Sequence, residues 1–449
     1  MPYERKIIND PVFGFINIPK GLLYDIVRHP LLQRLTRIKQ VGLSSVVYPG
    51  AQHTRFQHSL GAFHLMSEAI TQLASKGNFI FDSEAEAVQA AILLHDIGHG
   101  PFSHVLEDTI VKGVSHEEIS LMLMERMNKE MNGQLSLAIQ IFKDEYPKRF
   151  LHQLVSGQLD MDRLDYLRRD SFYTGVTEGN IGSARIIKML DVADDRLVIE
   201  SKGIYSIENF LTARRLMYWQ VYLHKTSVAY EKMLISTLLR AKELASQRVE
   251  LFASPALRFF LYNDINPTEF YHNPDCLENF IQLDDNDIWT ALKVWSTHTD
   301  KVLSTLSTGM INRNIFKVEI SSEPISEDRK KELTLHISQQ LGITLSEANG
   351  MVFVSGQLPI DAATGIMPEG VEAQARQSLE NIRHILEAAG LTMADIVKTT
   401  VFLQDMSLFA GMNGVYSTYF NGAFPARSAV AVKALPKDAL VEIECIAVR

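Results

Sequence analysis

The sequence predicts a multidomain protein, an all-α helical bundle followed by a small α+β domain. Its 449 residues, 46% of them hydrophobic, exceed what one core usually organises. From Pro30 to about Leu341 the apolar residues recur mostly at helical spacing, whereas beyond Gly342 strand-like and helix-like stretches alternate. We therefore place the domains at residues 1–343 and 344–449.

In the first domain the strand-like exceptions are short, Arg196 to Glu200 and Asn314 to Ile320. Ser115-His116-Glu117-Glu118 has the form of a capping box and starts a helix running through Met122 to Met127, with His116 in its first turn. A long helix is expected from Ile207 to about Ala245, carrying Arg214, Tyr218, Tyr222, His224 and Lys225. In the second domain, Met351 to Val354 reads as a strand ending at the Ser355-Gly356 turn. Val371 to Ala389 reads as an amphipathic helix stopped by Gly390, and Ile396 to Leu403 as a strand. A helix around Leu408 to Phe420 and strands at Ser428 to Val432 and Ala439 to Val448 follow.

Composition narrows the function. Two distant cysteines, Cys276 and Cys445, cannot form a disulfide framework and favour a reducing compartment. No basic-then-apolar leader and no apolar run near membrane-spanning length is present, so a cytoplasmic protein with no membrane partner is expected. A net charge of −9 argues against a general nucleic-acid coat. Local basic clusters remain available to a polyphosphate: Arg34, Arg37 and Lys39; Arg163, Arg168 and Arg169; Arg214, Arg215 and Lys225.

Seven of the 14 histidines fall between His53 and His116, more crowding than ordinary packing needs, so the region reads as a metal site. Its centre is the run from Leu93 to His104, where His95-Asp96 is followed by His99 and His104. Neutral imidazoles and carboxylates suit a divalent ion that can lower the pKa of water and polarise a phosphoryl oxygen. Manganese, iron, zinc, nickel and magnesium all fit such a donor set. Structural zinc sites favour cysteine, and both cysteines lie outside the cluster.

Residues 4 to 340 resemble the HD-domain phosphohydrolases, and within them the deoxynucleoside triphosphate triphosphohydrolases. The resemblance rests on Ile8 to Pro11, Tyr48 to Ala51, Arg55-Phe56-Gln57-His58-Ser59-Leu60-Gly61, the His95 to His104 run, the Asp160 to Asp170 run and His224-Lys225. It implies His58, His95, Asp96 and Asp162 as metal ligands. It also implies His116 as general acid, Glu107 as its orienter, and His99 as a group positioning nucleophile or phosphate. The implied reaction is hydrolysis at the α-phosphorus of a nucleoside triphosphate, giving nucleoside and inorganic triphosphate. For the substrate it implies Arg55 and Arg214 at phosphate, Lys225 at the outer phosphates, Tyr166 and Tyr222 at the sugar, and Gln40 at the 3′ hydroxyl. A tyrosine against the deoxyribose would exclude a 2′ hydroxyl. The histidines could instead only orient ligands, and the tyrosines could be core residues. Arg28 and Thr36 replace the acidic and basic residues of nucleotide-activated animal members, so activation by a guanine nucleotide is not expected.

Residues from about Ala348 resemble the RidA family of enamine/imine deaminases, also called YjgF or UK114. The matching stretches are Val352 to Pro359, Ala373 to Leu379, Ile396 to Val401, Phe424 to Ser428 and Glu442 to Val448. The resemblance implies a chorismate-mutase-like α+β fold. It places Arg427 on an imino-acid carboxylate and Glu444 as water activator, with Gly356 and Asn413 lining a cleft between subunits of a trimer. Relatives begin with a strand whose Gly-Pro-Tyr-Ser segment gives an active-site tyrosine; this chain has Thr344-Leu345-Ser346-Glu347-Ala348 there. A deaminase and a trimerising or ligand-sensing module are both open readings. For the whole chain the first expectation is a dNTP triphosphohydrolase, dGTP foremost, forming a homo-oligomer. The alternatives are another nucleotide or phosphoester hydrolase and a non-catalytic nucleotide-binding regulator.

Overall fold

The computed structural model describes residues 5–102, 105–109, 111, 113–316, 331, 333–335, 337–339, 342, 354–357, 359–360, 366–388, 392–420, 424–432, 435 and 438–447. A hairpin of β1 (Arg5–Asp10) and β2 (Gly14–Pro19) opens the chain, with Ile8 opposite Ile16. Its six-residue strands lie before Pro30, outside the region where the apolar spacing is helical. Ile16 and Ile18 are fully buried, while Ile7 and Phe15 on the other face are exposed, the alternation expected of a strand covered on one side.

The site is carried by helices. α1 (Arg55–Ser75) starts at a capping box in which Thr54 accepts from the Gln57 amide. α2 (Asp82–Leu94) ends at His95, and α3 (His116–Glu130) begins at Ser115, whose hydroxyl accepts from the Glu118 amide as the sequence predicts. α4 (Met161–Thr174) is capped by Asp160 and stopped by Gly175 at φ 76°. α1 packs against both α2 and α4, burying Leu60, Phe63, Leu93, Leu94, Leu164 and Leu167. A short hairpin pairs β3 (Leu190–Ala193) with β4 (Arg196–Ile199), close to the strand expected at Arg196 to Glu200.

The long helix expected from Ile207 to Ala245 is interrupted. α5 (Ile204–Met217) widens into a π-helical turn over Tyr218–Tyr222, and α6 (Lys225–Ser246) restarts after His224, whose ring accepts from the Thr226 amide. The aromatic and β-branched residues of Tyr-Trp-Gln-Val-Tyr hold a regular helix weakly, and the wider turn marks a functional position in many helices. Asn314 to Phe316 forms no strand, and the rest of that expected strand lies outside the described residues.

The chain divides into two units, residues 1–297 with 306–316 and residues 298–305 with 317–449. In the second unit β5 (Val354–Gln357), α7 (Val371–Ala388), β6 (Ile396–Leu403), α8 (Phe409–Tyr416), β7 (Ala426–Ala431) and β8 (Val441–Ala447) build a four-stranded sheet in the order β5-β8-β6-β7. β6 and β7 are parallel; the other neighbours are antiparallel. One face, with Val401, Leu403, Val441, Ile443 and Cys445, packs on Leu379, Ile382 and Leu386 of α7 and Met412 and Tyr416 of α8. The α+β expectation holds, and the bundle before it is helical as expected. Among the described residues no helix is long and apolar enough to cross a membrane.

Candidate active site

Helix packing brings His58 of α1, His95 at the end of α2 and Asp162 of α4 together, with one donor atom of each within 4.8 Å of the others. His58 Nε2 lies 3.3 Å from His95 Nε2 and 3.1 Å from Asp162 Oδ1, which is 3.5 Å from His95 Nε2. The other ring nitrogens are engaged: His58 Nδ1 lies 2.7 Å from Asp165 Oδ2, and His95 Nδ1 donates to the Ile92 carbonyl at 2.7 Å. With Nδ1 engaged in both rings, two Nε2 atoms and a carboxylate converge on one point. These separations match donors sharing one ion at bond lengths of about 2.1 Å. The residues fit a divalent ion.

Asp96, the fourth expected ligand, lies alongside. Its Oδ1 is 3.4 Å from both His95 Nε2 and His99 Nε2, and its Oδ2 accepts from Arg55 at 2.5 Å. Arg55, expected at phosphate, therefore grips Asp96 here. These charges set protonation. Burial alone would lower the His58 pKa, yet the carboxylates of Asp162 and Asp165 push it up to about 10, and His95 is raised by Asp96 and Asp162, so an ion binding through the two Nε2 atoms would displace protons that these carboxylates otherwise favour. Asp162 is held well below the usual carboxylate range by both histidines, against the effect of burial. Burial and the Arg55 guanidinium keep His99 well below its ordinary pKa, so this ring is neutral.

His99 stacks on His116 with ring centroids 3.9 Å apart, which leaves His116 facing the site with its side chain 21% exposed. α3 is held there by Ser120, whose hydroxyl donates to the His95 carbonyl and accepts from the Gly98 amide. Glu107 lies in the helix Val105–Thr109, but its side chain, like all of His104, is outside the described residues.

Behind His58 and Asp162 stands a buried charge ladder. Arg169 donates to Asp165 through Nε and Nη2 and to Asp10 through Nη1, while Asp10 Oδ1 accepts from the Val12 and Phe13 amides. The β-hairpin thus fixes α4. Arg34, fully buried, donates to the carbonyls of His99 and Leu283, tying the loop after His95 to a distant turn. These supports were missed at the sequence level, although Asp10 and Asp165 lie within the quoted motifs.

Tyr166 lies one turn after Asp162 on α4 and meets the Tyr222 ring edge-on at 6.0 Å. Its hydroxyl is raised by burial, by Tyr218 and by Asp162, with Arg214 opposing, so these side chains share one neighbourhood. Tyr222 donates to Asp170 Oδ2 at 2.6 Å, and Asp170 Oδ1 lies 2.7 Å from Nε2 of the buried His53. Neither Asp170 nor His53 is marked as a site residue by local sequence, since 117 residues separate them. The Gln40 side-chain carbonyl is buried and has no partner among the described residues, a free acceptor for a ligand hydroxyl. Arg214 lies over the Tyr218 ring at 5.8 Å, and Lys225 is the exposed first residue of α6.

In the second unit Arg427 donates to Asn413 Oδ1 at 2.7 Å, its guanidinium 4.5 Å from the Tyr416 ring centroid. The register sets Arg427 beside Thr399 and Cys445 but Glu444 beside Thr400 and Ser428. Adjacent rows face opposite sides of a sheet, so within one unit Arg427 and Glu444 do not meet. Glu442 shares the Glu444 face, and burial and Glu444 raise its carboxyl. Gly356 lies in β5, at a register shift against β8.

A helical bundle that converges two imidazoles and a carboxylate on one point has the donor set of a metal-dependent hydrolase. The sequence profile of the HD domain matches residues 55–169, that of the HD associated region residues 181–263, and that of endoribonuclease L-PSP residues 339–449. A crystal structure of a phosphohydrolase from Bacteroides thetaiotaomicron is 75% identical, covers 99% of this chain and 100% of its own, and superposes with a TM-score of 0.78. A Dictyostelium discoideum homologue of deoxynucleoside triphosphate triphosphohydrolase SAMHD1 is 30% identical over 259 residues, 54% of this chain and 50% of its own. The 2-iminobutanoate/2-iminopropanoate deaminase of Salmonella typhimurium is 56% identical over 106 residues, 23% of this chain and 83% of its own. The chain belongs to the HD-domain phosphohydrolases and carries a RidA-family C-terminal domain.

Proposed function

We propose that this chain hydrolyses deoxynucleoside triphosphates to deoxynucleoside and tripolyphosphate, with dGTP the first candidate. The observation that carries the reading is the His58, His95 and Asp162 donor set standing next to the Tyr166 and Tyr222 ring pair. A divalent ion held by these residues and Asp96 would supply positive charge at a phosphoryl oxygen and lower the pKa of water. The chain's own groups do the rest. His116, stacked on neutral His99, protonates the departing 5′ oxygen. Glu107 orients His116, Arg55 and Arg214 take phosphate charge, and Lys225 the outer phosphates. Tyr222, its hydroxyl committed to Asp170, presents a fixed ring edge to the sugar, and Gln40 offers its free carbonyl to the 3′ hydroxyl.

Product analysis tests this. Each dNTP and rNTP is incubated with manganese or magnesium beside an Asp162→Ala control. Tripolyphosphate from deoxynucleotides alone, absent in the control, is expected. Orthophosphate or pyrophosphate would transfer the site to another nucleotide or phosphoester. No turnover with any metal would leave a nucleotide-binding regulator.

For the C-terminal unit, Arg427 supports recognition of an imino-acid carboxylate, since its guanidinium is pre-set by Asn413 and Tyr416. Loss of imine hydrolysis in Arg427→Ala tests a deaminase; no hydrolysis by the parent chain would leave the trimerising role.

A further inference from the structure

Tyr48-Pro49-Gly50-Ala51 is one of the motifs singled out in the sequence, and the proposed reaction gives it no task. The Ala51 amide donates to the Tyr48 carbonyl at 2.9 Å, closing a tight turn. Gly50 lets that turn lie on α4, since a Cβ there would stand 2.6 Å from the Tyr173 carbonyl oxygen. Arg313 anchors the approach to it, donating through Nε and Nη2 to the Val46 carbonyl. So placed, the Tyr48 hydroxyl donates to the Gln220 carbonyl inside the π turn, and its ring meets the His224 ring edge-on at 6.1 Å.

The π turn uses that hydroxyl. Its Leu223 amide donates to the Tyr218 carbonyl at 2.8 Å, five residues back instead of four. The His224 amide, which a regular helix would aim at the Gln220 carbonyl, turns to the Val221 carbonyl at 3.4 Å, and Gln220 takes Tyr48 instead. Closing the turn into a regular α-helix would rotate the residues at its end by up to about 100° around the axis and carry the Tyr222 ring away from Tyr166. Tyr222 is therefore pinned twice, by its hydroxyl on Asp170 at 2.6 Å and by the Tyr48 bond two residues back. A ring wall rejects an extra hydroxyl only if it cannot retreat. We propose that Tyr48 is a positioning residue that holds the π turn in register and thereby sets the choice between deoxyribose and ribose at the Tyr166 and Tyr222 pair. The inference rests on the sugar site proposed above, and Tyr48 acts through Tyr222.

Amide hydrogen exchange and steady-state kinetics of the full chain test it together. In Tyr48→Phe the Leu223 amide is expected to exchange at least several-fold faster, while amides in the middle of α6 keep the parent rate and unfolding stays cooperative. The ratio of kcat/KM for each dNTP to that for the matching rNTP is expected to fall about tenfold, chiefly through better use of the ribonucleotide, with metal content unchanged. Arg313→Gln shifts both readouts in the same direction by less. Tyr230→Phe is the control: it deletes a hydroxyl that donates to the Met310 carbonyl and leaves the ratio unchanged. Unchanged Leu223 exchange in Tyr48→Phe, or an unchanged ratio in a chain whose exchange has quickened, would each overturn the proposal. A parent chain that turns over no nucleotide, or treats both sugars alike, contradicts the proposed reaction and ends the selectivity claim with it, and exchange at Leu223 then still decides whether Tyr48 holds the turn.

Discussion

Asp165 fixes the orientation of the His58 ring: its Oδ2 lies 2.7 Å from His58 Nδ1, which leaves Nε2 to face Asp162 at 3.1 Å. Both carboxylates sit on α4, one turn apart, so a single helix supplies one proposed ligand and the orienter of another. Asp165→Asn keeps the shape but weakens control of the tautomer. Metal affinity is expected to fall about 10- to 100-fold with the fold intact, read by metal titration followed by elemental analysis.

Gly61 makes this arrangement possible. A Cβ there would stand 1.9 Å from Asp165 Oδ1 and 2.1 Å from Arg169 Nη2. Both groups are buried and paired, so neither can move into water. Gly61→Ala should cost about 3 kcal/mol or more, seen as a lower urea midpoint, because it breaks a buried ion pair as well as overpacking the helix crossing.

His53 stands behind the Tyr222 hydroxyl. It is 1% exposed, stacks on Tyr173 at 4.5 Å, and holds Asp170. His53→Leu removes that support without touching His58, His95 or Asp162. The expected result is a KM for deoxynucleotides raised about tenfold, with kcat and metal content little changed, while His53→Gln retains more of the parent behaviour because its amide can still donate. Equal loss in both variants, or a fall in kcat alone, would contradict this.

Asp285 gives stability a pH dependence. Burial pushes its carboxyl up to about 6, although the Lys39 and Phe102 amides donate to it. In the unfolded chain the group ionises near its ordinary value of about 4, so between about pH 4 and pH 6 the folded state holds the extra proton. Stability from this group is therefore lost as pH rises through that window, by ~2–3 kcal/mol in all. Melting curves at pH 4 and pH 7.5 should differ less in Asp285→Asn than in the parent chain.

Much of this protein is legible in local stretches of sequence. The order and type of His58, His95, Asp96 and Asp162, the Ser115 cap, and the switch from helical to alternating spacing near Gly342 are local signals, written in neighbouring residues. Contacts across long separations come from helix packing instead. Asp170 joins His53 to Tyr222, Arg169 ties Asp10 to Asp165, and Arg34 serves the carbonyls of His99 and Leu283, pairings that spacing along the chain does not encode. The break between α5 and α6 likewise depends on a π turn whose apolar spacing resembles a continuous helix. In the second unit Arg427 and Glu444 share a motif-level signature, but strand register, set by which side chains the helices cover, turns them to opposite faces.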